Sequence, residues 1–444
     1  MTNRLVRRGV ALTGALSLAV TLAACGGDDE NGGGDTTSPE CAAYEQYEGD
    51  GEVTVFTPIT DVEGDLLQQS WEEFENCTGI TISYEGTDQF EEQMRIRVPA
   101  GNAPDLAFTP QPGLIADLAQ SGNMVAPPAA VQELAAQNWA PSWADFTTVD
   151  GTYYGAPLGS NVKSFVWYSP TFFAENNLTV PETWDDLLAL SDTIAATGIK
   201  PWCAGIGSDA ATGWPATDWV EDMMLRLHGD DVYQQWISHE IPFNDPRVAE
   251  AFDAVGEILK NPDYVNGGLG DVSSIATTSF EDGGLPITRG ECALHRQASF
   301  YAAQWGDDVT VAEDGDIYAF YFPQIDPAGP RPVLGAAEFV IAFADRPEVQ
   351  AVQTYLASGE WATSRASLGG WASANAAVDL NTYEDPIQRL TAEILQDPEA
   401  VLSFDASDLM PAPVGQGAFW AEITNWITGQ STQETVDKIE AAWP

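Results

Sequence analysis

The stretch that decides the fold is EVTVFTPITDVEGDLLQQSWEEFENCTGITISY, residues Glu52–Tyr84. It begins with alternating apolar residues up to Phe56, which predicts a strand that ends at Thr57-Pro58. Leu66, Leu67, Trp71 and Phe74 then share one face of a predicted helix, and 80–84 predicts the next strand. A strand, a helix and a second strand in this order are typical of a parallel sheet covered by helices.

The same alternation continues along the chain. We predict further helices at 90–98 and from Leu114, and further strands at 105–109, 165–168, 199–203, 291–294, 317–321 and 339–343. Thr183 and Asp186 form a predicted capping box before another helix. The glycine-rich segment 266–284 is predicted to be a surface loop. Its Gly268-x-Gly270 lacks the third glycine and the preceding strand of a dinucleotide fingerprint, so no cofactor is expected.

The N-terminus has the features of an export signal. Three arginines precede an apolar run from Gly9 to Leu22, and Leu22-Ala23-Ala24-Cys25 ends it. This run is too short for a membrane-spanning helix, and we predict a cleaved signal peptide at 1–24. The segment that ends at Cys25 resembles a bacterial lipobox, which implies a lipid on Cys25. Residues 26–40 contain almost no apolar side chains, and we predict a flexible tether at 25–50. Arg7-Arg8 leaves open whether export follows the general or the twin-arginine route.

The charge of the chain narrows the ligand class. The 444 residues include 17 basic and 67 acidic side chains, for a formal net charge of −50. Such a surface repels nucleic acid and anionic lipid, and it argues against a phosphorylated ligand. After Cys25, four cysteines remain in an oxidising compartment, which predicts two disulfides and leaves three pairings open. Their wide spacing argues against a metal site.

Three function classes remain open at this level. The sequence contains no GxSxG, HExxH or Walker motif, but a glycoside hydrolase needs only two placed carboxylates, and 67 acidic residues cannot exclude a pair. An adhesive surface lipoprotein fits the tether but not the two-domain α/β pattern. Fifteen tryptophans favour a sugar-binding cleft, because flat aromatic faces match the C–H face of a pyranose ring.

Several segments resemble one family. Gly101–Leu106 and Pro181–Asp186 are similar to family-1 extracellular solute-binding proteins of ABC sugar importers. Lys200–Ile206, Ala211–Trp219, Cys292–Phe300, Phe404–Pro411 and Phe419-Trp420 resemble the binding lipoproteins of alpha-glucoside importers in particular, and the likeness runs from about Gly51 to Trp443.

The resemblance implies a type II periplasmic-binding-protein-like α/β fold, with two discontinuous lobes joined by a multi-strand hinge and crossings near Pro157, Tyr318 and Trp371. The N-terminal lobe is expected at 51–157 plus 322–371, and the C-terminal lobe at 158–321 plus 372–444. Within such lobes, the favoured disulfides are Cys41–Cys77 and Cys203–Cys292. The implied protein is not an enzyme. It is a monomer on the outer face of the cytoplasmic membrane that delivers a sugar to two permease subunits with a cytoplasmic ATPase.

The resemblance also suggests residues that bind the sugar. Trp420 and Trp214 fall where maltose-binding proteins place aromatic platforms, and Asp218 lies one helical turn beyond Trp214. The other candidates lie near strand ends or crossings: His295, Arg296, Glu338, Trp371, Asn161, Lys163, Glu85 and Gln111. Arg296 could equally be the buried partner of an acid. We expect an alpha-linked glucoside, a disaccharide or short oligosaccharide, as the ligand; a non-glucoside ligand is the alternative.

Overall fold

The computed structural model describes residues 39–47, 49–306, 308–326, 331–397 and 401–444. The predicted signal peptide, Cys25 and most of the tether lie outside these residues. Within them, no helix combines the length and the apolar character needed to cross a membrane.

The strands alternate with helices over most of the chain. The strands are β1 (Gly51–Thr57), β2 (Ile80–Gly86), β3 (Leu106–Thr109), β4 (Thr148–Val149), β5 (Thr152–Tyr153), β6 (Gly155–Val162), β7 (Phe165–Tyr168), β8 (Lys200–Trp202), β9 (Cys292–Arg296), β10 (Tyr318–Tyr321), β11 (Pro332–Ala342) and β12 (Val401–Phe404).

The helices are α1 (Asp61–Gln69), α2 (Glu72–Thr78), α3 (Phe90–Arg97), α4 (Pro112–Gln120), α5 (Ala129–Asn138), α6 (Pro170–Asn176), α7 (Trp184–Ala195), α8 (Trp214–Ile237), α9 (Pro246–Leu259), α10 (Pro347–Leu356), α11 (Gly359–Ser367), α12 (Pro386–Gln396), α13 (Ala406–Leu409), α14 (Trp420–Ile427) and α15 (Thr432–Glu440). Short 3-10 helices lie at Pro39–Ala43, Pro141–Thr147, Asp209–Ala211, Val272–Ala276, Leu285–Arg289, Ser299–Trp305 and Leu380–Thr382, and a π-helix at Pro413–Phe419.

Two sheets form the framework. The first has the order β12-β11-β3-β1-β2, with β6 paired to β11 as well, and the second has the order β10-β7-β9-β8. β1 pairs in parallel with β2 and β3, as predicted, whereas the long strand β11 runs antiparallel to β3 and β6. Buried apolar side chains cover both faces of the first sheet, and the largest core cluster packs around the second sheet with α7, α8, α9 and α14. The predicted α/β architecture is confirmed.

One connection between the two sheets is very short. Only Lys163 and Ser164 separate β6 of the first sheet from β7 of the second. The amide of Phe322, just after β10, donates to the carbonyl of Ser164 at 2.7 Å. The connection from β6 to β7 and the start of the connection from β10 to β11 therefore lie side by side. β12 belongs to the first sheet, although the predicted division assigns 372–444 to the C-terminal lobe. The lobe boundaries themselves stay a prediction.

Some local predictions need correction. The helix predicted across Leu66–Phe74 is two helices, because the chain breaks between α1 and α2, where Trp71 leaves helical geometry with ψ near 6°. The capping box is present: Thr183 Oγ1 accepts from the Asp186 amide at 3.1 Å. Both favoured disulfides are confirmed, Cys41–Cys77 and Cys203–Cys292, with Cα atoms 5.2 and 5.8 Å apart.

Candidate functional site: a cleft between the two sheets

A cleft opens where the loops after β1 and β3 face the second sheet. It leaves about 970 Å³ of space, part of it open to solvent. Ligand sites of α/β proteins collect at such carboxyl ends of parallel strands. The side chains on which the site depends are Asp61, Glu63, Asp88, Glu91, Gln111, Asn161, Lys163, Trp214, Phe280, Glu281, Phe300, Gln304, Glu338, Asp405, Ser407, Asp408 and Trp420.

Three aromatic rings form one wall of the cleft. The ring centroid of Trp214 lies 5.1 Å from that of Phe280 and 6.1 Å from that of Phe300, and the two phenylalanine rings are 6.3 Å apart, nearly perpendicular. These rings, which we call the aromatic wall, are each only partly buried. Rings of this kind present apolar faces that a sugar ring or a cation can cover.

Trp420 adds a fourth aromatic group and is fixed in place. It is only 4% exposed, and its indole Nε1 donates to Ser407 Oγ at 3.3 Å. Gly213, which precedes α8, has φ of 119°, and a Cβ added there would overlap the carbonyl oxygen of Trp420. Only glycine fits at this close approach. The glycine therefore allows the start of α8 to lie close to the backbone of Trp420.

Acidic groups dominate the polar lining. Asp61, Glu63, Asp88, Glu91, Glu281, Glu338, Asp405 and Asp408 line the cleft, whereas the only cation among the described lining residues is Lys163. Glu91 Oε1 accepts from Gln111 Nε2 at 2.7 Å, which leaves Gln111 Oε1 without a partner, and Asn161 Oδ1 has none either. Such a lining offers many hydrogen-bonding oxygens for hydroxyl or ammonium groups and disfavours anions.

Burial raises the pKa values of several of these acids. Desolvation, together with the charge of Glu63, raises the pKa of Glu338 to about 8. Burial also raises the pKa values of Glu63 and Glu91, while the hydrogen bond from Gln111 opposes the shift at Glu91. A neutral carboxyl can donate as well as accept, so the cleft can match both functions of a hydroxyl group.

Lys163 anchors one end of the cleft. Its Nζ lies 3.0 Å from Asp218 Oδ1, 2.5 Å from Asp405 Oδ2 and 5.1 Å from the Trp214 ring centroid. Asp218, Glu221 and Asp405 place carboxylate oxygens within 4.8 Å of one another, as a metal site would require. The Lys163 ammonium contacts two of these three carboxylates and supplies the positive charge that a metal ion would otherwise provide.

The structure brings six predicted residues together at the cleft: Trp420, Trp214, Glu338, Asn161, Lys163 and Gln111. The other five do not line it. Asp218 and Arg296 are buried behind it in an ion pair, which is the alternative stated for Arg296. His295 Nδ1 donates to the Cys203 carbonyl at 2.9 Å, and burial lowers the pKa of His295 to about 4.

The remaining two predicted residues have other neighbours. Trp371 packs against Trp361 in the core of the first sheet, with ring centroids 5.6 Å apart. Glu85 pairs with Arg97 at 2.6 Å near the surface. The ligand role of all eleven residues stays a prediction.

Several cleft residues were missed by sequence reasoning. Phe280 and Glu281 come from the segment 266–284 that was predicted to be a surface loop, and Phe300 and Gln304 follow β9 in the Ser299–Trp305 turn. Asp405 and Asp408 lie in Phe404–Pro411, a segment whose resemblance to the family was the one available signal.

The comparisons with known proteins agree with this architecture. Residues 60–367 match the family model of the bacterial extracellular solute-binding proteins. The osmoprotective compounds-binding protein GgtB of Synechocystis is 41% identical over 88% of this chain and 92% of its own length. The alpha-glucosides-binding periplasmic protein AglE of Rhizobium meliloti is 36% identical over 88% of this chain and 86% of its own.

Solved structures show the fold. The bacterial solute receptor AcbH, described as preferring β-D-galactopyranose, superposes with a TM-score of 0.75 at 20% identity, covering 89% of this chain and 97% of AcbH. Maltose-bound MalE3 of T. maritima superposes with a TM-score of 0.69 at 14% identity, covering 88% of this chain and 98% of MalE3. The predicted type II binding-protein fold is confirmed. These relatives are binding proteins and not enzymes, which removes the glycoside hydrolase alternative. The chain belongs to the family of bacterial extracellular solute-binding proteins.

Proposed function

We propose that this protein binds an alpha-linked glucoside, a disaccharide or short oligosaccharide, and hands it to two permease subunits with a cytoplasmic ATPase. The observation that carries the proposal is the aromatic wall of Trp214, Phe280 and Phe300, which lies beside Trp420 in a cleft rich in carboxyl oxygens. Sugar rings bind by stacking their C–H faces on aromatic rings while polar groups take their hydroxyls. The similarity to AglE supports the alpha-glucoside class.

The proposed mechanism is cleft closure without chemistry on the ligand. The lobes expected at 51–157 plus 322–371 and at 158–321 plus 372–444 would move about the short passages near Lys163. Closure would let both lobes contact one sugar and exclude water, and the importer would recognise the closed form. Lipid on Cys25 and a flexible tether would keep the monomeric protein near the membrane.

A second ligand class is supported by the charge of the cleft. The relative GgtB is named for osmoprotective compounds, and eight cleft acids against one lysine also suit a cationic ligand. An aromatic wall beside carboxylates attracts quaternary ammonium groups. A small cationic osmoprotectant is therefore the competing candidate.

Calorimetric titration separates these candidates. The purified protein is titrated with maltose, trehalose, sucrose and longer maltodextrins, with cellobiose as the beta-linked control and choline as the cationic probe. We expect saturable binding of at least one alpha-glucoside, weaker binding of cellobiose and no binding of choline. If choline alone binds, the cationic ligand replaces the alpha-glucoside as the proposed ligand. If none of the sugars binds, the alpha-glucoside proposal is wrong, whereas the family assignment is unaffected.

A further inference from the structure

A buried network of eight ionisable groups, which extends from the wall of the cleft into the core, has more acids than cations. Its members are Lys163, Asp218, Glu221, Asp222, Arg226, Arg296, Asp405 and Asp408, whose side chains are almost fully buried. Five carboxyl groups therefore face three cations, which leaves two negative charges unmatched if every group is ionised. An unmatched buried charge is costly enough that a carboxyl group keeps its proton instead.

Three of the five carboxyl groups contact the cations directly. Asp222 pairs with both Arg226 and Arg296, and Asp218 lies 3.0 Å from Lys163 and 3.5 Å from Arg296. Asp405 pairs with Lys163 as well. These contacts use all three cations. The two carboxyl groups without a direct contact to a cation are those of the remaining acids.

Those acids are Glu221 and Asp408, and only one of them can meet a ligand. Glu221 is fully buried, and its oxygens contact the Tyr233 hydroxyl and the amides of Ala406 and Ser407. The carboxyl group of Asp408 has no hydrogen-bond partner among the described residues, although the residue is only 5% exposed, and it lines the cleft.

The charges around Asp408 favour its neutral form. Burial, followed by the negative charge of Asp405, raises the pKa of Asp408 well above its usual range. Lys163 acts in the opposite direction, but Asp218 and Asp405 already share its ammonium, and the charge of Glu221 raises the pKa further. The pKa of Asp405 itself is lowered by Lys163 despite its burial, so the two aspartates of this segment differ in charge.

We propose that Asp408 meets the ligand as a neutral carboxylic acid, donates a hydrogen bond to a ligand oxygen and thereby helps to determine specificity. The sugar ligand rests on the proposed function, whereas the protonation of Asp408 does not. A neutral acid pairs with a ring, glycosidic or hydroxyl oxygen, and it gives no electrostatic attraction to a cation. Asp408 thus favours an uncharged polyol over a cationic osmoprotectant.

The test of the hydrogen bond uses two variants of Asp408. Asp408→Asn keeps the shape and a donor, so the affinity for maltose, trehalose or sucrose, whichever binds, is expected to stay within about threefold at pH 7. Asp408→Ala removes the donor, and the affinity should fall about tenfold. Equal losses in both variants would show that the ligand needs a carboxylate acceptor, and the proposal would be wrong.

Two measurements on the sugar-free protein test the protonation by itself. The infrared difference spectrum between the wild-type protein and Asp408→Asn at pH 7 should contain the carbonyl band of a protonated carboxyl group. The melting temperature should be unchanged or higher in Asp408→Asn and several degrees lower in Asp405→Asn, which breaks the Lys163 ion pair. A missing band, or equal destabilisation by both variants, would overturn the proposal. If no sugar binds, the proposed function fails while these two measurements still decide the charge of Asp408.

Discussion

Replacing Trp214 by alanine should weaken sugar binding by about twentyfold. Trp214 begins α8 and lies at the centre of the aromatic wall, with Phe280 and Phe300 on its flanks and Lys163 over its ring. One face of the indole presents about 70 Å² to a stacked sugar, roughly a third of the area that a tryptophan can bury. At about 25 cal/mol per Å², loss of that contact costs about 1.8 kcal/mol, which corresponds to the twentyfold loss in affinity.

The assay is calorimetric titration of Trp214→Ala with the alpha-glucoside that binds the wild-type protein. Trp214→Phe keeps an aromatic face and should lose no more than about fivefold. The matched control is Trp443→Ala, because Trp443 is also partly buried but stacks on His239, with ring centroids 4.0 Å apart, away from the cleft. Unchanged affinity in Trp214→Ala, or an equal loss in Trp443→Ala, would refute the stacking role.

Three further outcomes are expected. Replacing Cys203 and Cys292 together by serine should lower the free energy of unfolding by about 3 kcal/mol, which urea unfolding measures. The sugar affinity should stay unchanged in calorimetric titration, since neither cysteine lines the cleft. A loss of affinity in the folded variant would contradict this expectation. Lys163→Met should destabilise the protein by about 3–5 kcal/mol, because it leaves the buried Asp405 without a cation and Asp218 with only the more distant Arg296. Urea unfolding measures this change, and an unchanged free energy of unfolding would contradict the charge count in the network. The pKa of Glu338 is raised to about 8 in the folded protein, so the contribution of this group to stability is present at low pH and is lost as the pH rises towards and through 8. Glu338→Gln should therefore reduce the fall in melting temperature between pH 5 and pH 9. If the melting temperature of the variant falls as steeply as that of the wild-type protein, the raised pKa is wrong.

Local periodicity predicted much of the fold. The strand–helix alternation around Glu52–Tyr84 gave the parallel pairs of the first sheet, because each strand carries its own apolar pattern. β6 and β12 were missed. Gly155–Val162 contains glycine, proline and asparagine, which are rare in strands, and it becomes a strand only through its pairing with β11.

The candidate site was predictable only in part, because it depends on long-range packing. Trp214 and Trp420 came from resemblance, and the structure places both at the cleft. Phe280 lies in a glycine-rich segment without periodicity, so nothing local distinguishes it from a surface residue. The pairing of Lys163 with Asp405, 242 residues away, cannot be derived from composition, since an excess of acids gives every lysine many alternative partners.

The most direct test of the central claim is a crystal structure of the protein with the tightest-binding alpha-glucoside of the panel. We predict one sugar in the cleft, with a pyranose ring stacked on Trp214 or Trp420 and its oxygens within hydrogen-bond distance of Glu338, Asn161 or Asp408. A sugar bound outside this cleft would contradict the account. So would a cleft that binds a cation but none of the alpha-glucosides.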